Sequence, residues 1–125
     1  MIRGIGNDII EIDRIEKALT NNRFLEKYFT EDENELFKSK KYRAESIAGN
    51  FAVKEAVSKV LGTGFRSFSP IDIEVLRDNN NKPFVNLYNR AKELADELGI
   101  NEIHVSISHS KDNVIAIAIG EGKGK

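Results

Sequence analysis

The sequence predicts an α+β domain, because three patterns follow one another along it. Apolar and polar residues alternate at the start, as in a strand with one buried face. A long central run keeps helical period. The closing segments alternate again and end in an unbroken apolar stretch.

In Met1 to Ile12, the residues Ile2, Gly4, Gly6, Asp8, Ile10 and Ile12 share one face of an extended chain, since successive side chains point to opposite sides. Asp8 therefore belongs to a mostly apolar face. Residues 13 to 40 hold short helical stretches, and Thr30 with Glu33 three residues later has the spacing of a capping box. The strongest helix runs from Arg43 to Leu61 and stops at Gly62, a residue suited to the left-handed conformation that closes helices. Ile47, Phe51, Val53, Val57, Val60 and Leu61 make its core arc. Glu55 and Lys59 form a second stripe flanked by Ala48 and Ala52, whose small side chains leave space for a ligand or for another stretch of backbone.

Ile71 to Leu76 and Phe84 to Leu87 read as the strands of a hairpin around the turn-rich segment 78–83. Asn89 to Leu98 is helical, with Ala91, Leu94, Ala95 and Leu98 at i, i+3, i+4 and i+7, and Gly99 as its stop. Ile103 to His109 and Val114 to Ile119 are the last two strands. The final one is apolar on both faces and is expected at the centre of its sheet.

A chain of 125 residues favours a single domain, residues 1–125. Leu, Ile, Val and Phe make up 37 of those residues, well above the roughly 20% below which charged chains stay disordered, so a real core is expected. The longest apolar run, Val114 to Ile119, is far shorter than the roughly 20 residues of a membrane-spanning helix. The N-terminus lacks the charged-then-apolar plan of a secretory signal, and a cytosolic protein is expected. Without cysteine there is no disulfide framework, thiolate zinc site or cysteine nucleophile. A net charge of -1 gives no general attraction to nucleic acid or to anionic membrane. The one basic concentration is Lys38, Lys40, Lys41 and Arg43, which composition alone reads as a solvated loop.

Gly4-Ile5-Gly6 lacks the third glycine and the following helix of a dinucleotide fingerprint, and Gly62-Thr63-Gly64 is too short for a phosphate-binding loop of the Walker type. Three other features carry more chemistry. Asp8, a carboxylate on an apolar face, needs a cation, a metal or a hydrogen-bond donor as partner, and an ordinary salt bridge would satisfy it. Glu55 precedes Lys59 by four residues, the spacing of a plain helical ion pair. His109 ends its strand between Ser108 and Ser110, hydroxyls that could bond phosphate or backbone. Taken singly, each has a structural explanation.

Taken together and in order, these segments resemble holo-acyl-carrier-protein synthase, a family of the 4'-phosphopantetheinyl transferases. The likeness is carried by Gly4-Ile5-Gly6-Asn7-Asp8-Ile9-Ile10-Glu11-Ile12, Phe51-Ala52-Val53-Lys54-Glu55-Ala56-Val57-Ser58-Lys59, Gly62-Thr63-Gly64, Asp72-Ile73-Glu74 and Val105-Ser106-Ile107-Ser108-His109-Ser110. It covers nearly the whole chain. The resemblance implies a small antiparallel sheet with one long helix, assembled as a homotrimer with clefts between subunits. It implies transfer of the phosphopantetheine arm of coenzyme A to a serine of apo acyl carrier protein, with Mg²⁺, releasing adenosine 3',5'-bisphosphate.

By motif, Asp8 and Glu55 match the family's metal-ligating carboxylates. Lys59, Gly62, Thr63, Gly64, His109 and Ser110 match positions near coenzyme A, and Arg14, Arg23 and Phe24 match the stretch that meets the carrier protein. Such chemistry suits hard oxygen ligands on Mg²⁺, which compensates the charge of a diphosphate. The nucleophile would be the partner's serine, so the expected catalytic group is Glu55 or a metal-associated water as base, with Asp8 on the metal and His109 orienting phosphate. Lys41 and Arg43 are candidates for the 3'-phosphate of coenzyme A.

Two departures stand out. Asn50 replaces an arginine usual in the family, which removes one cationic contact. The carrier-facing stretch interleaves Arg14, Lys17, Arg23 and Lys27 with Asp13, Glu16 and Glu26, which predicts weak electrostatic steering. The competing expectations are a non-catalytic coenzyme A or nucleotide-binding module of the same fold, and a trimeric interaction protein without ligand.

Overall fold

A computed structural model describes residues 1–62 and 64–123 of the chain. It begins with strand β1 (Ile2–Glu11), followed by three short helices, α1 (Ile12–Ala18), α2 (Phe24–Tyr28) and α3 (Glu31–Ser39). The long helix α4 spans Ala44–Val60. A hairpin of β2 (Ile73–Arg77) and β3 (Pro83–Leu87), helix α5 (Asn89–Glu97), and strands β4 (Glu102–His109) and β5 (Asn113–Glu121) complete the order. Among the described residues no helix is long and apolar enough to cross a membrane.

The strands form two antiparallel sheets, β1-β5-β4 and β2-β3. As the unbroken apolar run predicts, β5 is central, pairing Asp8 with Ala116 on one side and Ile107 with Ala116 on the other. The capping box of α3 is present, with the Thr30 hydroxyl accepting from the Glu33 amide at 3.1 Å and Glu33 Oε1 accepting from the Thr30 amide at 3.1 Å. Gly62 and Gly99 end their helices with φ of 83° and 75°, the left-handed values that favour glycine.

Helix α4 differs from its expected single core arc. Sheet β1-β5-β4 packs on one side of it and α1 and β2 on others, so it is buried nearly all round. Ala48 and Ala52 are fully buried, so packed protein fills the space their small side chains leave, and the room expected there for a ligand does not exist. The closest approach is at Gly6, where a Cβ would lie 2.1 Å from the Ala56 carbonyl oxygen. Only glycine lets β1 lie directly on α4, and that contact carries Asp8 to the helix. The opening glycines thus serve helix–strand packing.

A polar cluster inside the core joins α3, α4 and β2. The fully buried Lys54 donates to Glu33 Oε1 at 2.7 Å, to the Pro70 carbonyl at 3.0 Å and to the Ile73 carbonyl. Burial pushes the Glu33 carboxyl up and the Lys54 ammonium down from their ordinary pKa values, and their mutual attraction opposes both shifts. Asn50 belongs to this cluster. It is fully buried, and its amide donates to the Val75 carbonyl at 2.8 Å and to Glu33 Oε2 at 3.1 Å. Asn50 is therefore an interior residue, turned away from any surface cleft.

Candidate active site

Strand β1 and helix α4 together place one group of charges. Lys59 Nζ donates to the Asn7 carbonyl at 2.7 Å and lies 3.5 Å from Asp8 Oδ1. The helical ion pair expected between Glu55 and Lys59 does not form within 4.0 Å; the lysine turns instead to the strand that Gly6 admits. Glu55 nevertheless senses the whole group. Burial and the nearby Asp8 charge raise its pKa, and Lys59 and Arg14 pull it back. Asp8, Glu55, Lys59 and Arg14 thus share one electrostatic neighbourhood.

This group fits a Mg²⁺ ion. Two hard carboxylates whose charges repel each other are what a divalent cation relieves, and Mg²⁺ needs only one or two protein carboxylates when phosphate supplies the rest. The cluster of three potential ligands, Glu102, His104 and Glu121, is exposed on the β4–β5 ladder, with His104 already 2.9 Å from Glu121.

A second group gathers at the other end of α4. Lys40, Arg43, Glu45, Ser46, Gly49, Arg77, Asn81, Pro83, Ile107 and His109 line a cavity of about 270 Å³. Glu45 pairs with Arg43, and its Oε2 lies 3.7 Å from His109 Nδ1. Lys40 donates to Asn81 Oδ1 at 3.3 Å. Lys41 is exposed, in the left-handed turn it forms with Tyr42, and lies outside this lining. Ser110 is exposed beyond the end of β4. Gly62 is exposed and Gly64 half-buried at the far end of α4, while Thr63 lies outside the described residues.

The two groups are separate within one chain. Glu45 and Glu55 are ten residues apart on α4, about 15 Å at 1.5 Å per residue. His109 on β4 and Asp8 on β1 have the whole of β5 between them. One chain therefore carries a carboxylate half and a basic half.

A third feature is a groove of about 320 Å³ whose lining includes Arg14, Arg23, Phe24, Lys27, Tyr28 and Phe51. Phe24 forms its apolar wall, with ring centroids 5.3 Å from Tyr28 and 6.1 Å from Phe51. Every charged residue lining it is basic. Two of the interleaved acids turn elsewhere, since Asp13 lies 3.2 Å from Lys17 and both Asp13 and Glu16 line a different concavity, whereas Glu26 lines one with Arg23 and Lys27, two of the groove's own cations. Helical period thus carries Asp13 and Glu16 away from the groove and leaves Glu26 next to two of its cations.

Arg77 and Glu45 line the basic cavity and belong to none of the motifs. Phe51 was assigned to the core arc and is half-buried at its edge. Arg77 ends an apolar strand run, and its direction depends on how the hairpin packs against α4.

Comparison with known proteins identifies the family. The family model of the 4'-phosphopantetheinyl transferase superfamily matches residues 4–118. The holo-[acyl-carrier-protein] synthase of Alkaliphilus oremlandii is 53% identical over 120 residues, 95% of this chain and 98% of that protein. The crystal structure of the Helicobacter pylori holo-[acyl-carrier-protein] synthase in complex with coenzyme A superposes with a TM-score of 0.81 at 38% identity, covering 94% of this chain and 99% of the other. That of the Bacillus anthracis synthase in complex with CoA (3',5'-ADP) gives 0.81 at 40% identity, covering 98% and 99%. The chain belongs to the 4'-phosphopantetheinyl transferase superfamily and, within it, to the enzymes of the holo-[acyl-carrier-protein] synthase family.

Proposed function

We propose that this enzyme moves the 4'-phosphopantetheine arm of coenzyme A to a serine hydroxyl of apo acyl carrier protein, with Mg²⁺, in sites shared between copies of a homotrimer. The observation that carries the reading is the convergence of Asp8, Glu55 and Lys59 where β1 lies on α4. In the reaction the serine oxygen bonds to the phosphorus next to the pantetheine. The diphosphate bond breaks, adenosine 3',5'-bisphosphate leaves, and the serine loses its proton.

Asp8 and Glu55 would hold Mg²⁺, which when bound neutralises charge on the diphosphate oxygens. Lys59 faces a phosphate oxygen as a point charge. Glu55 takes the serine proton through a water, and its raised proton affinity suits that task. Gly62 and Gly64 follow the end of α4 that carries this half. Arg43, His109 and Ser110 of a neighbouring copy supply the basic half that orients the nucleotide, with Lys41 at its rim. The groove of Arg14, Arg23 and Phe24 receives an acidic helix of the carrier protein.

The separation of the two halves along α4 supports completion of the site by a second copy. The outer face of sheet β1-β5-β4 supports it too: Ile5, Ile9, Ile115 and Ile117 are 64%, 61%, 48% and 39% exposed. We place the activity in the cytosol, within one domain.

Incubation with coenzyme A, Mg²⁺ and an apo acyl carrier protein, followed by mass measurement of the carrier, tests the reading. A gain of roughly 340 Da, the mass of the arm, is the expected result. No gain with coenzyme A still bound would instead point to a binding module, and neither to an interaction protein.

A further inference from the structure

The basic cavity at the start of α4 contains one cation that the structure leaves uncommitted. Arg43 is held by Glu45, and Lys40 by Asn81. Arg77 is half-buried, yet among the described residues no carboxylate forms an ion pair with it. Among the described residues its one side-chain hydrogen bond runs from Nη1 to the Leu76 carbonyl at 3.3 Å. A guanidinium offers five N–H donors and stays charged when desolvated, so the remaining donors call for an anion.

Arg77 packs over a glycine of α4. Nη2 lies 3.9 Å from where a Cβ of Gly49 would be, so the guanidinium rests on a helix surface without a side chain. The next residue, Asn50, is turned into the core and cannot serve the cavity. Glu33, the acid that senses Arg77 across the core, is engaged by Lys54. The lining thus sets the cations Lys40, Arg43 and Arg77, beside the imidazole of His109, against the single carboxylate of Glu45. A planar fork of donors in such a setting matches a dianionic phosphomonoester.

Resting on the transfer reading above, the geometry points to Arg77 as the residue that grips the 3'-phosphate of coenzyme A. It thereby sets the preference of this chain for coenzyme A over the 3'-dephospho form. The cation comes from β2, outside the motifs that identify the family.

The test uses the full-length chain, its Arg77→Gln and Arg77→Lys variants, and two donors, coenzyme A and 3'-dephospho-coenzyme A. Calorimetry with adenosine 3',5'-bisphosphate and adenosine 5'-monophosphate reads binding without turnover. Arg77→Gln should raise KM for coenzyme A and Kd for the bisphosphate roughly 10- to 100-fold, the range of a charged hydrogen bond. The loss on the 3'-dephospho donor and on the monophosphate should be far smaller, and kcat should move less than KM. Arg77→Lys, which keeps the charge without the fork, should fall between. Equal losses on both donors, or none, would overturn the proposal. So would a wild-type chain that binds monophosphate and bisphosphate equally, a result independent of how the variants fold. Absence of transfer in the wild type would sink the functional reading alone, since calorimetry still decides Arg77.

Discussion

Lys59 Nζ lies 3.5 Å from the Asp8 carboxylate and 2.7 Å from the Asn7 carbonyl, joining the last turns of α4 to the middle of β1. The lysine is half-exposed, so this ion pair contributes little to stability, about 1 kcal/mol or less. Its charge matters more to a diphosphate. Lys59→Met, which keeps most of the stem, should leave the urea midpoint nearly unchanged. It should lower kcat/KM for coenzyme A by at least about tenfold, the value of one charged hydrogen bond. A large loss of stability with a matching loss of activity would make Lys59 structural.

Glu55 carries the opposite balance. Burial and Asp8 raise its pKa above the ordinary carboxyl value near 4.5, so its favourable contribution exists below that value and is lost as pH rises through the folded pKa. Ionising Glu55 in the folded chain therefore carries a cost. Glu55→Gln should therefore melt at a higher temperature than the wild type at pH 7, with the difference closing in acid. Mg²⁺ should raise the melting temperature of the wild type more than that of the variant, while transfer is lost. Identical Mg²⁺ responses in differential scanning calorimetry would remove Glu55 from the metal site.

Local chemistry made much of this fold readable. The Thr30–Glu33 spacing marks a helix start, Gly62 and Gly99 mark helix ends, and the run from Val114 to Ile119 marks a central strand. Each depends on neighbours in sequence. Period names the faces of a helix but not what covers them, so it left a ligand and another stretch of backbone both open over the Ala48 and Ala52 stripe, and packed protein is what covers it. The same limit hid the turn of Lys59 toward Asp8, the interior position of Asn50 and the reach of Arg77 over Gly49. All three follow from contacts between segments distant in sequence, set by the close approach at Gly6 and by the docking of the hairpin.

Glu74 provides a pH test away from the site. Burial raises its pKa, but donation from the Thr30 hydroxyl at 2.6 Å, the Asn86 amide at 3.1 Å and the Tyr88 hydroxyl at 3.0 Å, with the charge of Lys54, outweighs burial and lowers it overall. A depressed carboxyl contributes stability above its unfolded value, near 4.5, and loses it as pH falls through the folded pKa. Glu74→Gln should destabilise the chain at pH 7, and its deficit should shrink below about pH 4.5. Urea unfolding at several pH values from 7 to 3 reads this directly. Parallel curves for the two proteins would show that ionisation of Glu74 is not what the three donors stabilise.

The exposed isoleucines and the divided site lead to one joint expectation. Ile117 sits on the outer face of the central strand, between Asn7 on β1 and Ser106 on β4. Ile117→Asp should leave the core intact yet yield monomers by sedimentation, and transfer should fall with dissociation. Complementation decides whether copies share a site. Glu55→Gln disables the carboxylate half and His109→Ala the basic half, so neither variant alone should transfer well. In the proposed trimer, co-expression should give mixed assemblies in which the intact carboxylate half of one chain faces the intact basic half of its neighbour. Around a ring of three, every mixed trimer has one such junction, so random assembly should restore roughly a quarter of the wild-type rate. Were the site complete within one chain, mixing would restore nothing, because each chain would still carry one disabled half.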